Sequence, residues 1–512
     1  MSFRFYFIVP LIALLGACAT VDFDYPKPES TALENTDDTY AGKQIVPLVA
    51  LHPGEAGFYL LFDGIDALAA RLLMAERAER SLDAQYYLIT NDLIGFVFIG
   101  TLLKAADRGV RVRLLLDDIQ TKGYDAGMAA LDSHPNFEVR IFNPFAGRSG
   151  HLGDALGDFG RVNRRMHNKS FTTDNQITLI GGRNIAAEYF SARKDVNFGD
   201  VDVVGIGPVV NDVSKMFDSY WNHLSAAPVP AFADMPDDPA EALEQLRVRI
   251  EAKLDEIRDT PYADAVRVEY MGFEKGDSSI FTWAPYVLAY DSPDKSIKDK
   301  AEEADSITTT LARTIRNGQK ELIVISPYFV PQKRGVAFFQ ELRDRGMEIT
   351  VITNSLASTN HAIVHSGYAP SRKPLLKMGV KLYEIKHDPP NVYGVARGGP
   401  DASLATLHTK AFIVDRNDLF VGSFNWDPRS VDINTELGVI IESPELGGLT
   451  AGLVDESLAT RTYEVILNEQ GEVRWVDHAG DEPVVLMKEP DTSWWRRFTA
   501  GFYRILPVKG QL

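Results

Sequence analysis

The chain has 512 residues, 45% of them hydrophobic and 24% charged, an ordinary globular composition with room for about two domains and some extensions. Its 53 Lys and Arg stand against 71 Asp and Glu, and a net charge of −18 argues against broad nucleic-acid binding, which needs a positive footprint. The same charge opposes adsorption to anionic lipid unless a local device provides it, and the single cysteine, Cys18, excludes an intrachain disulfide.

In chain order, Arg4 is a short positive start, and Phe5 to Ala17 is an almost uninterrupted apolar run. The run is shorter than the roughly 20 residues a membrane span requires and fits a signal-peptide core. Leu15-Gly16-Ala17-Cys18 resembles a bacterial lipobox, which implies a diacylated Cys18 as the mature N-terminus after removal of 1–17; residues 1–18 are the expected lipoprotein signal. Ala19 following the cysteine, by resemblance to enterobacterial sorting rules, favours the outer membrane of a Gram-negative-type envelope, with the protein facing the periplasm. Polar residues 19–49, with Pro26 and Pro28, read as a tether.

A first domain is expected over 50–225. Apolar residues at helical spacing (Leu61, Ile65, Leu68, Leu72, Leu73) predict a helix within Phe58 to Arg80, and Leu82 to Ile89 a strand. Ile94 to Arg108 reads as a helix closed by Gly109, and Val110 to Leu116 as a buried strand ending in Asp117-Asp118. This strand–helix–strand order predicts a parallel sheet with helical cover. Arg161, Arg164 and Arg165 could attract anionic headgroups or pair with the protein's own acids. Residues 226–265 read as a solvated linker helix, centred on Glu241 to Arg258.

A second domain over 266–468 repeats the pattern: a strand at Leu322 to Ser326, a helix at Gly335 to Arg345 followed by Gly346, and a strand at Ile349 to Thr353. Trp283 and Tyr290 fall in a loop-like stretch before it. Gln85-Tyr86-Tyr87 and Ser326-Pro327-Tyr328 occupy equivalent strand ends, where α/β folds place the ligand crevice. The extension 469–512 carries Trp494, Trp495, Phe498, Phe502, Ile505 and Leu506 at helical spacing beside Arg496, Arg497, Arg504 and Lys509, the pattern of an interfacial helix; docking on the protein's own core is the alternative.

Two strings concentrate the chemistry: His167-Asn-Lys169-Ser-Phe-Thr-Thr-Asp174 and His408-Thr-Lys410-Ala-Phe-Ile-Val-Asp415. Each leads, at the same distance, to a small-residue turn ending in Asn184 or Asn425. With 10 His in the chain, chance seldom produces this twice in register. On a strand the His and Lys share one face. An imidazole can act as nucleophile or as acid and base; lysine supplies charge to a phosphate oxygen; the Asn amide adds neutral donors. Two such sets facing each other can hold a phosphodiester without a metal or any other cofactor, and they stabilise the charge that builds on its oxygens. Each histidine needs a carboxylate to orient its other ring nitrogen. Glu436 in Asn434-Thr435-Glu436 is the candidate of the second copy, and Asp200 or Asp202 of the first. Asp202 is preferred because Asp200-Val201-Asp202 aligns with Asn434-Thr435-Glu436. Asp174 and Asp415, on the opposite strand parity from their histidines, are read as structural supports. His361 and His365, four residues apart, lack a third ligand cluster, so no metal site is expected.

This residue set resembles the phospholipase D superfamily over roughly residues 53–468. Within it the strings His52-Pro53-Gly54-Glu55, Ser81 to Tyr87, Asn143-Pro144-Phe145, Gly181 to Asn184, Gly422 to Ser430 and Leu506-Pro507 look closest to bacterial cardiolipin synthases of the C type. The resemblance implies an α/β fold of two duplicated domains packed as a pseudo-twofold pair around one active site. It implies a phosphohistidine on one histidine, assigned to His167, with His408 as acid and base. It places His365 to Tyr368 in a loop at the site mouth, and matches Glu436 to the family's carboxylate position. The implied reaction transfers a phosphatidyl group from phosphatidylglycerol or phosphatidylethanolamine to phosphatidylglycerol. The phospholipids and the membrane surface are therefore the expected partners, and nucleic acid is not. Hydrolysis by the same site, a nuclease and a catalytically silent membrane scaffold are the competing readings. Net charge and the lipobox oppose the nuclease, and intact His, Lys and Asn in both copies oppose the scaffold.

Overall fold

Both halves of the chain are built from a parallel strand–helix–strand unit into which the motif hairpin inserts from the other direction. The computed structural model describes residues 21–146, 159–193, 196–256, 258–274, 278–297, 306–387 and 404–503. In the first half Ser81–Tyr86, Arg111–Asp117 and Phe137–Phe142 run parallel, and the helix Leu93–Asp107 crosses between the first two. That helix starts where the Asp92 carboxylate accepts from the Gly95 N–H, and the chain leaves it through Gly109 at φ +94°, a conformation a Cβ would strain. The motif strand Ser170–Thr173 joins antiparallel to Ser81–Tyr86, followed by Ile177–Gly181, Asp202–Ile206 and Ala56–Leu61, all antiparallel. The expected parallel sheet is thus only the parallel part of a mixed sheet.

The second half repeats this layout. Glu321–Ile325, Glu348–Asn354 and Lys381–Ile385 are parallel, with the helix Gln332–Asp344 crossing over and Gly346 at φ +87°. The hairpin of Ala411–Val414 and Asp418–Gly422 and the strand Leu437–Glu442 complete it. The two sheets meet in a shared apolar core in which Leu60, Phe142, Val201 and Val203 of one half pack with Ile323, Ile325, Val421 and Val439 of the other. A parallel pair, Val196–Gly199 with Leu404–Leu407, ties the halves across the interface.

Several boundaries differ from the sequence reading. Leu61, counted among helical positions, ends the strand Ala56–Leu61, and the helix begins at Gly64. The described part of the supposed tether is docked: Lys27 Nζ donates to the carbonyls of His223 and Ala226 (both 2.6 Å), Arg140 donates to Pro28 O, and Tyr40–Val49 is a helix. The linker is two helices, Pro239–Asp255 and Pro261–Glu274, packed on the first domain's helices. Trp283 and Tyr290 lie in edge strands, not loops. Thr282–Ala284 pairs with the first sheet and Tyr286–Tyr290 with the second, so the domains part at Pro285 and not near residue 265. Beyond Asn468 the sheet continues through Val473–Asp477 and Val484–Leu486. Cys18 and the segment 504–512 lie outside the described residues.

Candidate active site

Each motif histidine is held by backbone from the opposite half. His167 N–H donates to Thr435 O (2.9 Å), and His408 N–H donates to Gly199 O (2.8 Å). One residue earlier, a polar side chain at the end of the second strand of each parallel unit clamps the chain. Asp117 accepts from Met166 N–H (2.8 Å), and Asn354 bonds both N–H and C=O of Leu407. The imidazoles therefore sit at the seam between the two halves.

The orienting carboxylates are exchanged between halves. His167 Nδ1 lies 2.8 Å from Glu436 Oε2, and His408 Nδ1 lies 2.7 Å from Asp200 Oδ2. Glu436 is fixed further by the hydroxyls of Ser423 and Ser430, which both donate to it, and its N–H donates to Asp291. Asp202, the residue preferred from the sequence, does not reach a histidine. It is fully buried and pairs with Arg71 (2.9 Å) and Arg183 (3.3 Å). Sheet register explains the difference. Gly181 pairs with Asp202 and Gly422 with Gly438, so Asp202 is the counterpart of Gly438, and Asp200 that of Glu436. The string alignment was off by two residues. Gly181 and Gly182 must be glycine because a Cβ there would run into Asp202 and Asp200 respectively.

Lys169 Nζ donates to His167 O (2.6 Å), and Lys410 Nζ donates to His408 O. Burial, with Lys410 adding to it, lowers Lys169 to about 7, and burial lowers Lys410 to about 8 against the pull of Asp200 and Glu436. Burial likewise depresses His167 to about 4 against the pull of Glu436, and His408 to about 3, with Lys410 adding to the effect. Burial pushes the Asp200 and Glu436 carboxyls up, but Lys410 and His408 on the first, and His167 and Lys169 on the second, outweigh it and hold both below the usual carboxylate range. Near neutral pH the site thus holds two neutral imidazoles, and an ionised carboxylate at each Nδ1 favours the proton on that nitrogen, leaving the Nε2 lone pairs for chemistry.

Asn184 donates to Tyr189 Oη (2.9 Å), and the side-chain oxygens of Asn184 and Asn425 are buried without a hydrogen-bond partner among the described residues. Such paired orphans at equivalent positions suit a ligand that brings its own polar atoms. Asp174 and Asp415 stay away from the imidazoles. The first accepts the N–H groups of Glu79, Arg80 and Ser81, the second those of Gln319, Lys320 and Glu321.

Tyr87 stands edge-on to His167 (4.9 Å), and Tyr328 edge-on to His408 (6.3 Å), so the equivalent strand ends line the site. The arginines before the first motif are engaged in the fold. Arg165 is buried against Asp117, Arg161 donates to Pro144 O, and Arg164 donates to Lys295 O. His365 is not in a mouth loop but in the helix Ala362–Tyr368, bonded to Arg372 and near Glu489. Among the described residues no three His, Cys, Asp or Glu side chains gather as a metal site. Sequence reasoning missed Ser423, Ser430, Asp117, Asn354, Tyr189 and Phe198. Ser423, Ser430, Asp117 and Phe198 fall in or beside strings the sequence singles out for other reasons, and no spacing rule marks a role for any of the six.

A family model described as "Cardiolipin synthase, PLD-like domain" matches residues 72–221 and 311–451. Cardiolipin synthase C of Escherichia coli is 40% identical over 485 residues, spanning 91% of this chain and 98% of that protein. An uncharacterized protein of Helicobacter pylori is 29% identical over 511 residues, 99% of either chain. Among solved structures, phosphatidylserine synthase of Haemophilus influenzae Rd KW20 superposes with a TM-score of 0.56 at 13% identity, covering 92% of this chain and 99% of its own, which shows a common fold.

Proposed function

Because this chain belongs to the cardiolipin synthase family with phospholipase D-like domains and is a phosphatidyltransferase of the phospholipase D type, we propose that it forms cardiolipin at a membrane surface through a phosphohistidine. The observation that carries the mechanism is the exchanged pair of His–carboxylate contacts, which gives one seam two oriented imidazoles and two lysines. His167 is the nucleophile. Its Nε2 has no hydrogen-bond partner among the described residues, whereas Nε2 of His408 lies 3.3 Å from Tyr189 Oη.

The phosphodiester of phosphatidylglycerol enters between Lys169 and Lys410, with Asn184 and Asn425 as neutral donors. Its negative charge offsets the lysine field that helps keep His408 neutral, so that His408 carries a proton in the complex. The lone pair of His167 Nε2 attacks phosphorus. The P–O bond to the glycerol headgroup breaks, and His408 gives its Nε2 proton to the departing oxygen. The hydroxyl of a second phosphatidylglycerol then attacks the phosphohistidine. Its proton passes to His408, the P–N bond breaks, and the electron pair returns to His167. With phosphatidylethanolamine as donor, ethanolamine leaves instead. The two lysines supply the charge a metal would bring, so activity is expected to survive EDTA.

Membrane contact is proposed through two devices, a lipidated Cys18 and the C-terminal helix Trp494–Tyr503. That helix is anchored to the fold by Arg496, which donates to the carbonyls of Leu356 and Thr359, while Trp494 (67% exposed) and Trp495 (62%), with Phe498 and Phe502, face outward. Trp at a membrane surface places its ring at headgroup level. Among the described residues no helix is long and apolar enough to cross a membrane. The site faces the periplasm, and the outer membrane is favoured.

Lipid mass spectrometry tests the reading. Purified enzyme given phosphatidylglycerol, with and without phosphatidylethanolamine, is expected to yield cardiolipin. Phosphatidic acid as sole product would make it a hydrolase and overturn the proposal.

A further inference from the structure

The two histidines have unequal surroundings. Among the described residues His167 has one aromatic neighbour, Tyr87. His408 has three: Phe198 stacked on its face (5.1 Å, interplanar 13°), Tyr189 edge-on at 4.9 Å and Tyr328 edge-on at 6.3 Å. Phe198 is delivered from the other half by the strand Val196–Gly199, whose Phe198 pairs with Thr406 two residues before His408. The polar atoms nearest Nε2 of His408 are Tyr189 Oη (3.3 Å), which also accepts from Asn184, and Lys410 Nζ (3.4 Å), which also donates to His408 O, while the Tyr328 hydroxyl is turned to Asn360.

We propose that this aromatic collar of Phe198, Tyr189 and Tyr328 makes the second half-reaction select a lipid-borne alcohol over water. The inference rests on the transfer reading above and adds the residues that set the acceptor. Beside the two polar atoms close to Nε2 of His408, the imidazole is walled by three aromatic rings, apolar surface that a water cannot use and an alcohol's carbon skeleton can. An alcohol presents one hydroxyl to the general base while its carbon skeleton covers the rings, removing apolar surface from water. Discrimination at an apolar wall of this kind is worth about 10- to 200-fold per methylene-sized contact. Phe198 and Tyr328 are positioning residues here, since they act through the access they allow to His408.

The test is the ratio of cardiolipin to phosphatidic acid made by the full-length enzyme from phosphatidylglycerol vesicles. Phe198→Ala opens the stacked face and is expected to lower the ratio by about tenfold or more, on the same apolar-contact scale. Phe198→Leu, which keeps an apolar side chain for the fold, is expected to lower it by less. If wild type makes cardiolipin and both Phe198 variants partition as wild type does, the collar is overturned while the transferase reading stands. If wild type makes phosphatidic acid alone, it is the transferase reading that falls.

Discussion

Replacing Asp200 by Asn, with Asp202→Asn beside it, separates catalysis from architecture within two residues of chain. Asp200 Oδ2 takes the Nδ1–H of His408 at 2.7 Å, which leaves the Nε2 lone pair to accept the acceptor's proton. An asparagine of the same size can turn its amide N–H toward Nδ1, driving the ring proton to Nε2 and abolishing the base. In a His–Asp pair of this type the wrong tautomer lowers kcat by about 10⁴, or roughly 5.5 kcal/mol of barrier. The carboxylate also lies 3.7 Å from Lys410 Nζ, so the variant further disfavours a charged Lys410 and weakens phosphate binding. Asp202→Asn touches neither histidine. It strips the charge partner from Arg71 and Arg183, each 1% exposed, and breaking such a buried pair costs about 3–5 kcal/mol. Single-turnover cardiolipin formation and chemical denaturation of both variants read the two effects. Asp200→Asn should lose turnover far beyond any loss of folded fraction, and Asp202→Asn mainly stability. An Asp202→Asn enzyme of native stability but lost turnover, beside an active Asp200→Asn, would refute the register argument.

His167→Ala and His408→Ala should each lower turnover by at least about 10²–10⁴-fold, and only His408→Ala should still accumulate acid-labile phosphohistidine, visible by intact-protein mass spectrometry. The pH dependence follows from which form is needed. His167 must be neutral, so kcat/KM falls as pH drops through about 4. Lys169 and Lys410 must be cationic, so it also falls as pH rises through about 7 to 8. The bound phosphodiester favours the charged lysines, so the alkaline limb of kcat should lie higher than that of kcat/KM. Asp174→Ala exposes three backbone N–H groups in a buried setting and Asp415→Ala three nearer the surface. The first is expected to cost about 2–4 kcal/mol and the second clearly less in urea melts, with equal losses counting against the burial argument. Trp494→Ser with Trp495→Ser should reduce pelleting with phosphatidylglycerol vesicles without changing folding; unchanged pelleting would assign membrane contact elsewhere.

Much of the fold was legible because its signals are local. Periodicity marked the helix Leu93–Asp107 and the strand Arg111–Asp117, and Gly109 and Gly346 marked the stops, since left-handed backbone is written in single residues. The duplication revealed itself because two copies of one string identify each other without any knowledge of their contacts. Edge strands such as Thr282–Ala284 and Tyr286–Tyr290 were missed. They are short, and each becomes a strand only because a sheet edge from a different half is there to pair with it.

By itself the sequence determined the chemical inventory: two His–Lys–Asn sets, their repeat, and the carboxylates within reach along the chain. Tertiary structure decided the pairing. Glu436 serves the histidine of the other copy, Asp200 rather than Asp202 serves His408, and Phe198 crosses the seam to stack on that ring. These contacts depend on sheet register and on packing between the halves. A shift of two residues keeps every side chain on the same face of its strand, so strand pattern does not distinguish Asp200 from Asp202, whereas a hydrogen bond, effective over about 3 Å, does.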